Sequence, residues 1–335
     1  MTKLIKVKNV IISTWLPGVF EYMIKAFPAI EFLEIPVERN AKECKPILND
    51  EIKRNVKHYE FVLADAAVGA LLIPCIPNIK WIQSVSAGVD GFFKDLDKKQ
   101  IPKELAFTRM TGVFGTVMAE YVIAQIIIRE RHFYQMHDNQ KLCKWDSVEW
   151  GYRTFSDLTI GFMGLGDIGE EISRSCKAFG ANIVSLTRSR RRKSETLDIS
   201  MVNDEMEVFL KSCDYIVSVL PSIPSTKGML NGDVLKAASD KKPILVNIGR
   251  GDLISEEDLI RAIEQNWISG AILDVFETEP LPPDSKLWTM PQITITPHVS
   301  GTSMPSMVAK VFKENMERYE NNMPLLGLVD YEKEF

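Results

Sequence analysis

Short runs in which nearly every position is apolar recur along the chain, each followed by a segment of helical length. "KNVIIST", "EFVLADA" and "KWIQSVSAG" are the first three, all within the first hundred residues. Six more follow: "LTIGFM", "NIVSL", "DYIVSVL", "PILVNI", "SGAILDV" and "QITIT". Runs that do not alternate with polar residues predict strands buried on both faces, which is the mark of parallel sheets covered by helices. Between the two sets, "TVMAEYVIAQIIIRERHFYQMHDNQ" predicts one long apolar-sided helix. Ser255 with Asp258 three residues on reads as a capping box, and Asn231 as the cap of "GDVLKAAS". The pattern predicts an α/β chain with a six-stranded unit in the middle and a smaller α/β unit from the N-terminal third. The helical stretch after Pro297 has no strand of its own and is expected to return to the smaller unit.

Composition narrows the function classes. The chain has 335 residues, 45% of them hydrophobic, enough for two packed cores. Its formal net charge of -5 and pI near 5.6 argue against a general nucleic-acid binder. Five scattered cysteines suit reduced thiols better than a disulfide framework. The start "MTKLIKVKNVIIST" lacks a signal-peptide pattern, and "YVIAQIII", stopped by Arg129, is far short of the ~20 apolar residues a membrane span needs. A cytoplasmic protein with neither a membrane nor a nucleic-acid partner is expected. His132 and His137, five apart, do not make a metal pair, His58 is expected to be exposed, and no metal is expected.

The strand "LTIGFM" runs into Gly164-Leu165-Gly166-Asp167-Ile168-Gly169, which opens a helix and precedes a second strand. In that context the glycines serve a tight turn, close approach of a pyrophosphate, and helix–strand packing. The helix N-terminus supplies N–H groups and positive potential for the phosphates. An NAD site usually carries an acidic residue about 20 positions later, on the adenosine ribose. Here no Asp or Glu occurs between Ile172 and Ser194, and Thr187-Arg188-Ser189-Arg190 stands in its place. Arginines there suit the 2′-phosphate of NADP(H), with NAD(H) as the lesser possibility. Arg191, Arg192 and Lys193 read as a solvated loop.

Three consecutive strand ends carry chemistry. "PILVNIGRG" ends in Arg250, "SGAILDVFETEP" near Asp274 with Glu279 just beyond, and "QITITPHVSG" in His298. Reduction of a 2-keto acid needs a proton donor and a group for the carboxylate and carbonyl. His298 suits the first task, Glu279 can orient it and favour the imidazolium, and Arg250 suits the second.

These motifs resemble the D-isomer-specific 2-hydroxyacid dehydrogenases along nearly the whole chain. "SVSAGVDGF", "TGVFGTVMAEYVIAQ", "GLGDIG", "LPSIPSTKGMLN", "VNIGRG", "LDVFETEPLPPDSKLW" and "ITPHVSG" follow that family's order and spacing. "LTRSRRRK", "FTRMTGVFG" and "KWDSVEWGYRTFSDLTIG" are most similar to its NADPH-preferring glyoxylate/hydroxypyruvate reductases. The resemblance implies a Rossmann-type cofactor domain, residues 107–296, inserted in a smaller flavodoxin-like α/β substrate domain formed by 1–106 and 297–335. It implies Arg250, Glu279 and His298 as catalytic residues and the backbone of Ala87, Gly88 and Val89, with Arg250, as the substrate-binding set. For the cofactor it implies the glycine loop, Arg188, Ser189, Arg190, Leu220, Pro221, Thr226, Ile248 and Asp274. It also implies a homodimer built through the cofactor domains.

The expected activity is NADPH-dependent reduction of a small 2-keto acid to the D-2-hydroxy acid. Two alternatives stand beside it. One is an NAD-linked D-2-hydroxyacid dehydrogenase of another substrate, which the missing acidic residue disfavours. The other is a dinucleotide-sensing corepressor, for which the chain leaves little room for the long tails such proteins carry. Trp145 and Trp150 read as core or dimer-interface residues, or as side chains reaching a neighbouring subunit's pocket.

Overall fold

The computed structural model describes residues 6–39, 44–94, 96–146 and 151–334. Trp150 lies outside them. The chain divides into two compact units, Met1–Val113 with Ser303–Phe335, and Phe114–Thr302.

The first unit holds β1 (Asn9–Ser13), β2 (Glu31–Glu34), β3 (Val37–Arg39), β4 (Cys44–Pro46), β5 (Phe61–Ala64), β6 (Trp81–Ser84) and β7 (Ala106–Thr108). Five of them form a parallel sheet in the order β2-β1-β5-β6-β7, the flavodoxin-like order, and β3 and β4 make a small antiparallel pair. Ile11, Val62, Ile82 and Phe107 run through its core. The helix Pro305–Glu320 packs on this unit, where Phe312 and Tyr319 stack on the buried Trp81 ring at centroid distances of 5.5 and 5.7 Å. The Trp81 indole N–H is satisfied by Thr108 Oγ1 at 2.8 Å, so the large ring is buried without an orphaned donor.

The second unit holds β8 (Thr159–Met163), β9 (Asn182–Thr187), β10 (Ile199–Val202), β11 (Tyr215–Ser218), β12 (Ile244–Asn247), β13 (Gly270–Leu273) and β14 (Ile293–Ile295). They form one parallel sheet in the order β10-β9-β8-β11-β12-β13-β14, the doubly wound Rossmann arrangement. Every residue of β11, β12 and β13 is buried, which is why these runs show no alternation. Phe209, Ile216, Leu245 and Ala271 anchor this core.

Four expectations are corrected. The second sheet has seven strands: β10 at its edge has only Ser200 and Met201 buried, too weak an apolar signal to read. The long helix is two, Gly115–Glu130 and Phe133–Lys141, broken where His132 takes a left-handed φ of 54° just past the end of the apolar stripe. Asn231 does not cap its own segment; its Oδ1 accepts the Ser255 N–H at 2.8 Å, while Ser255 caps Glu256–Glu264 as expected. The units divide at 113/114 and 302/303, later than 106/107 and 296/297. β7 pairs with β6, and the Met110 N–H donates to the Ser86 carbonyl, keeping that stretch with the first unit. The Val299 and Ser300 N–H groups donate to Asp274, keeping those residues with the second. Among the described residues no helix is long and apolar enough to cross a membrane.

Candidate active site

The carboxyl ends of the second sheet are aligned by its register. Met163 pairs with Ser218 and with Leu186, Ser218 with Asn247, Asn247 with Leu273, and Leu273 with Ile295. The glycine loop, the basic segment, Arg250, Asp274 and His298 therefore all leave one edge, where open parallel sheets bind their ligands.

At Gly164 the backbone turns with a φ of 88°, and an added Cβ would lie 3.1 Å from the Leu220 side chain. Gly169, in the first turn of the helix Asp167–Ala178, lies against the Gly164 carbonyl oxygen, 2.7 Å from where its Cβ would be. Leu165 is buried, and Ile168 follows Asp167 at the start of the helix. Gly166 differs: a Cβ there would meet nothing within 4 Å. Protein packing explains the outer two glycines, whereas the bare backbone at Gly166 faces open space beside a helix N-terminus. These residues fit a dinucleotide pyrophosphate.

The basic segment divides its labour. Arg190 donates from Nη1 to the Ser200 carbonyl and from Nη2 to Glu205, both at 2.7 Å, so its fork is committed within the protein. Arg191 also departs from the solvated-loop expectation: Nη1 reaches Glu170 on the glycine-loop helix at 3.0 Å, and its N–H donates to Ser200 Oγ at 2.8 Å. Arg188 is exposed at the end of β9, and the Thr187 hydroxyl donates to the Ser189 carbonyl at 2.8 Å, closing the turn between them.

Loop-shaping contacts occupy other expected cofactor residues. Thr226 Oγ1 donates to the carbonyls of Pro221 (2.6 Å) and Ile223 (3.0 Å) and accepts the Ile223 N–H, so its hydroxyl braces the turn. Ile248 is buried. Asp274 is completely buried and turns its carboxylate to the segment Thr296–Ser300.

The Arg250 turn is held by a residue the sequence reading passed over. Buried Asn247 donates from Nδ2 to the Arg250 carbonyl at 2.9 Å and accepts the Gly249 N–H at 3.2 Å. The signal was a polar residue ending an otherwise apolar strand. Arg250 itself donates to the Gly249 carbonyl at 2.8 Å. At Gly251 a Cβ would fall 1.9 Å from the Phe276 carbonyl carbon, so this turn and the one leading to Glu279 touch backbone to backbone. Only glycine allows that approach.

His298 Nδ1 meets Glu279 Oε2 at 2.8 Å, and Glu279 Oε1 accepts the Phe276 N–H at 2.9 Å. The hydrogen bond to Glu279 raises the His298 pKa above the ordinary imidazole value, against partial burial and the Arg250 charge. Burial opposes ionisation of Glu279, but its bonds to His298 and Phe276 and the charges of His298 and Arg250 hold it below the usual glutamate range. This is a hydrogen-bonded carboxylate–imidazole pair that favours the charged ring, with an arginine close enough to act on both.

In the first unit, Ser84 Oγ and the Gly88 carbonyl hold Ser86, and Asp90–Phe93 begins a short helix after Val89. Among the described residues, the N–H groups of Ala87 and Gly88 donate to no protein acceptor. One side chain at this sheet edge was not anticipated. Asp65, just past β5, accepts the Trp15 N–H at 3.0 Å, and burial pushes its carboxyl up to about 6.

Residues 123–300 match the family model for the D-isomer specific 2-hydroxyacid dehydrogenase, NAD binding domain. A D-isomer specific 2-hydroxyacid dehydrogenase family protein from Aeromonas salmonicida subsp. salmonicida A449 superposes with a TM-score of 0.83 at 29% identity, over 97% of this chain and 99% of that one. An NADPH-dependent glyoxylate/hydroxypyruvate reductase from Sinorhizobium meliloti, solved with NADP and sulfate, gives 0.82 at 26% identity, over 98% and 100%. A probable 2-hydroxyacid dehydrogenase from Rhizobium etli CFN 42, in complex with NADP, HEPES and L(+)-tartaric acid, gives 0.81 at 26%, over 98% and 100%. With the glycine loop and the strand-end residues at one sheet edge inside the matched region, the chain belongs to the D-isomer-specific 2-hydroxyacid dehydrogenases and is an NAD(P)-dependent oxidoreductase.

Proposed function

We propose that this enzyme uses NADPH to reduce a small 2-keto acid, of the size of glyoxylate or hydroxypyruvate, to the D-2-hydroxy acid. The observation that carries the reading is the His298–Glu279 pair at 2.8 Å with Arg250 acting on it, at adjoining strand ends. When bound, the cofactor supplies the reducing equivalent. His298, charged through Glu279, gives the proton to the carbonyl oxygen, and Arg250 holds the carboxylate and draws charge onto that oxygen. The unclaimed N–H groups of Ala87 and Gly88 suit a carboxylate in the same chemical sense.

NADPH preference rests on the basic residues that replace the expected acid, and on the Sinorhizobium meliloti reductase and the probable Rhizobium etli dehydrogenase, both solved with NADP. Arg188, exposed just past β9 where an NAD site usually carries its acidic residue, is the residue assigned to the 2′-phosphate. Oxidation of NADPH and NADH in parallel, with glyoxylate and with hydroxypyruvate, tests the whole reading. A strong NADPH preference is expected, and equal rates refute the phosphate assignment. Arg188→Ala should raise the KM for NADPH by at least about tenfold and leave that for NADH little changed, as expected for one charge-assisted contact. Arg190→Ala should shift both alike.

The reading includes a homodimer. Phe133, Tyr134, Met136, Leu142, Trp145 and Tyr152, all within one stretch of the second unit, are exposed, Trp145 at 94%, apolar surface that a second copy would cover. Sedimentation should show twice the 38.0 kDa chain mass; a monomer at micromolar concentration overturns this part.

A further inference from the structure

His298 takes a left-handed φ of 55°, a region uncommon for residues that carry a Cβ. Most other described residues with such a φ, His132 among them, sit at turns after helices, whereas His298 lies just beyond β14. Its surroundings are not side-chain packing, because His298 and Val299 are both exposed.

What surrounds it is one buried carboxylate. Asp274 Oδ1 accepts the Thr296 hydroxyl at 2.6 Å and the Val299 N–H at 2.9 Å, and Oδ2 accepts the Ser300 N–H at 2.9 Å. The Asp274 carbonyl accepts the N–H of His298 itself at 2.9 Å. One residue thus grips the segment before, at and after the histidine. Behind it, the Tyr121 hydroxyl lies 2.7 Å from Thr296 Oγ1, anchoring the chain of bonds in the helix Gly115–Glu130. Burying a carboxylate is costly unless charge-assisted hydrogen bonds satisfy it, and here most of its acceptor capacity goes to the histidine loop.

We propose that Asp274, braced by Thr296 and Tyr121, is a positioning residue that holds the His298 backbone in the left-handed conformation from which the imidazole meets Glu279. This rests on the reading of His298 as proton donor. Without the carboxylate the segment relaxes toward negative φ, the Cα–Cβ direction of His298 turns, and Nδ1 leaves Glu279. The family-based expectation of a direct cofactor contact predicts something different, namely a loss of cofactor affinity.

The test compares Asp274→Asn, Thr296→Val and Tyr121→Phe, alone and in a His298→Ala background. Asparagine keeps the shape but turns an N–H₂ toward at least one donor. Three quantities are read: kcat at saturating NADPH, the Kd for NADPH from nicotinamide fluorescence, and the pH at which the reduction rate falls. For Asp274→Asn, kcat should fall at least about tenfold while the Kd changes less than about twofold. The alkaline fall should move to lower pH, since the charged groups acting on His298 are Glu279, Arg250 and Asp274, and the Glu279 contact is the largest of them. In the His298→Ala background, Asp274→Asn should add less than about a twofold loss, because both act through one group. Thr296→Val and Tyr121→Phe should act in the same direction by less.

A rise in the NADPH Kd with kcat intact would make Asp274 a cofactor ligand and overturn the proposal. Losses that multiply in the double variant would also overturn it. If Asp274→Asn does not fold, unchanged kcat and pH profile in both Thr296→Val and Tyr121→Phe refute it. Failure of the proton-donor reading is seen separately, as turnover that survives His298→Ala alone.

Discussion

His298→Ala is expected to lose at least about 10²-fold in kcat for keto-acid reduction, the usual worth of a positioned general acid, with NADPH affinity nearly unchanged. Glu279→Gln should act differently, and its sign follows from the pair. Reduction needs the imidazolium, and Glu279 raises the His298 pKa, so the protonated form persists to higher pH than in an ordinary histidine. Glutamine can still hold the ring but carries no charge. The pH at which kcat/KM falls should therefore move down, with most of the rate retained on the acidic side. In the oxidation direction the neutral ring is the base, and the acidic limb should move down as well. A pH profile of each direction is the check. Limbs that stay where they are in Glu279→Gln would show that the titrating group is not His298.

Arg250→Lys should cost about 10²–10³-fold in kcat/KM, comparable with removing one preorganised donor from an oxyanion site. Lysine keeps the positive charge but loses the planar fork that can grip a carboxylate with two parallel bonds. It also loses the guanidinium bond to the Gly249 carbonyl that fixes the side chain over the turn. Steady-state kinetics with hydroxypyruvate at saturating NADPH decides the matter. A loss below about threefold would mean that charge alone suffices and that the fork is not used. Because Gly251 packs against Phe276, the substituted residue stays on the same backbone and the comparison reports side-chain chemistry.

Central strands were legible because burial on both faces leaves no polar alternation: β11, β12 and β13 are buried at every position. Edge strands were not. β2 has no buried residue and β10 has two, so their sequences resemble loops until a neighbour offers hydrogen bonds. The break at His132 was hidden too, because residues on either side favour helix and only the turn itself departs from it.

The site shows the same division. The glycine spacing, the lack of an acid after β9, and the polar residues just beyond β12, β13 and β14 follow from local chain order. Each concerns a strand end and its own loop, and parallel strands send all such ends to one edge. The family, the two α/β units and the candidate residue types at the strand ends were therefore legible in the sequence alone. Pairings across distant stretches were not. That Arg190 is spent on Glu205 while Arg191 holds Glu170, and that Asp274 grips Thr296, Val299 and Ser300, depend on side-chain directions set by packing. Hydrogen bonds are short and directional, whereas sequence patterns report only burial and spacing. Which charge is committed and which carboxylate holds a loop was decided by the tertiary structure.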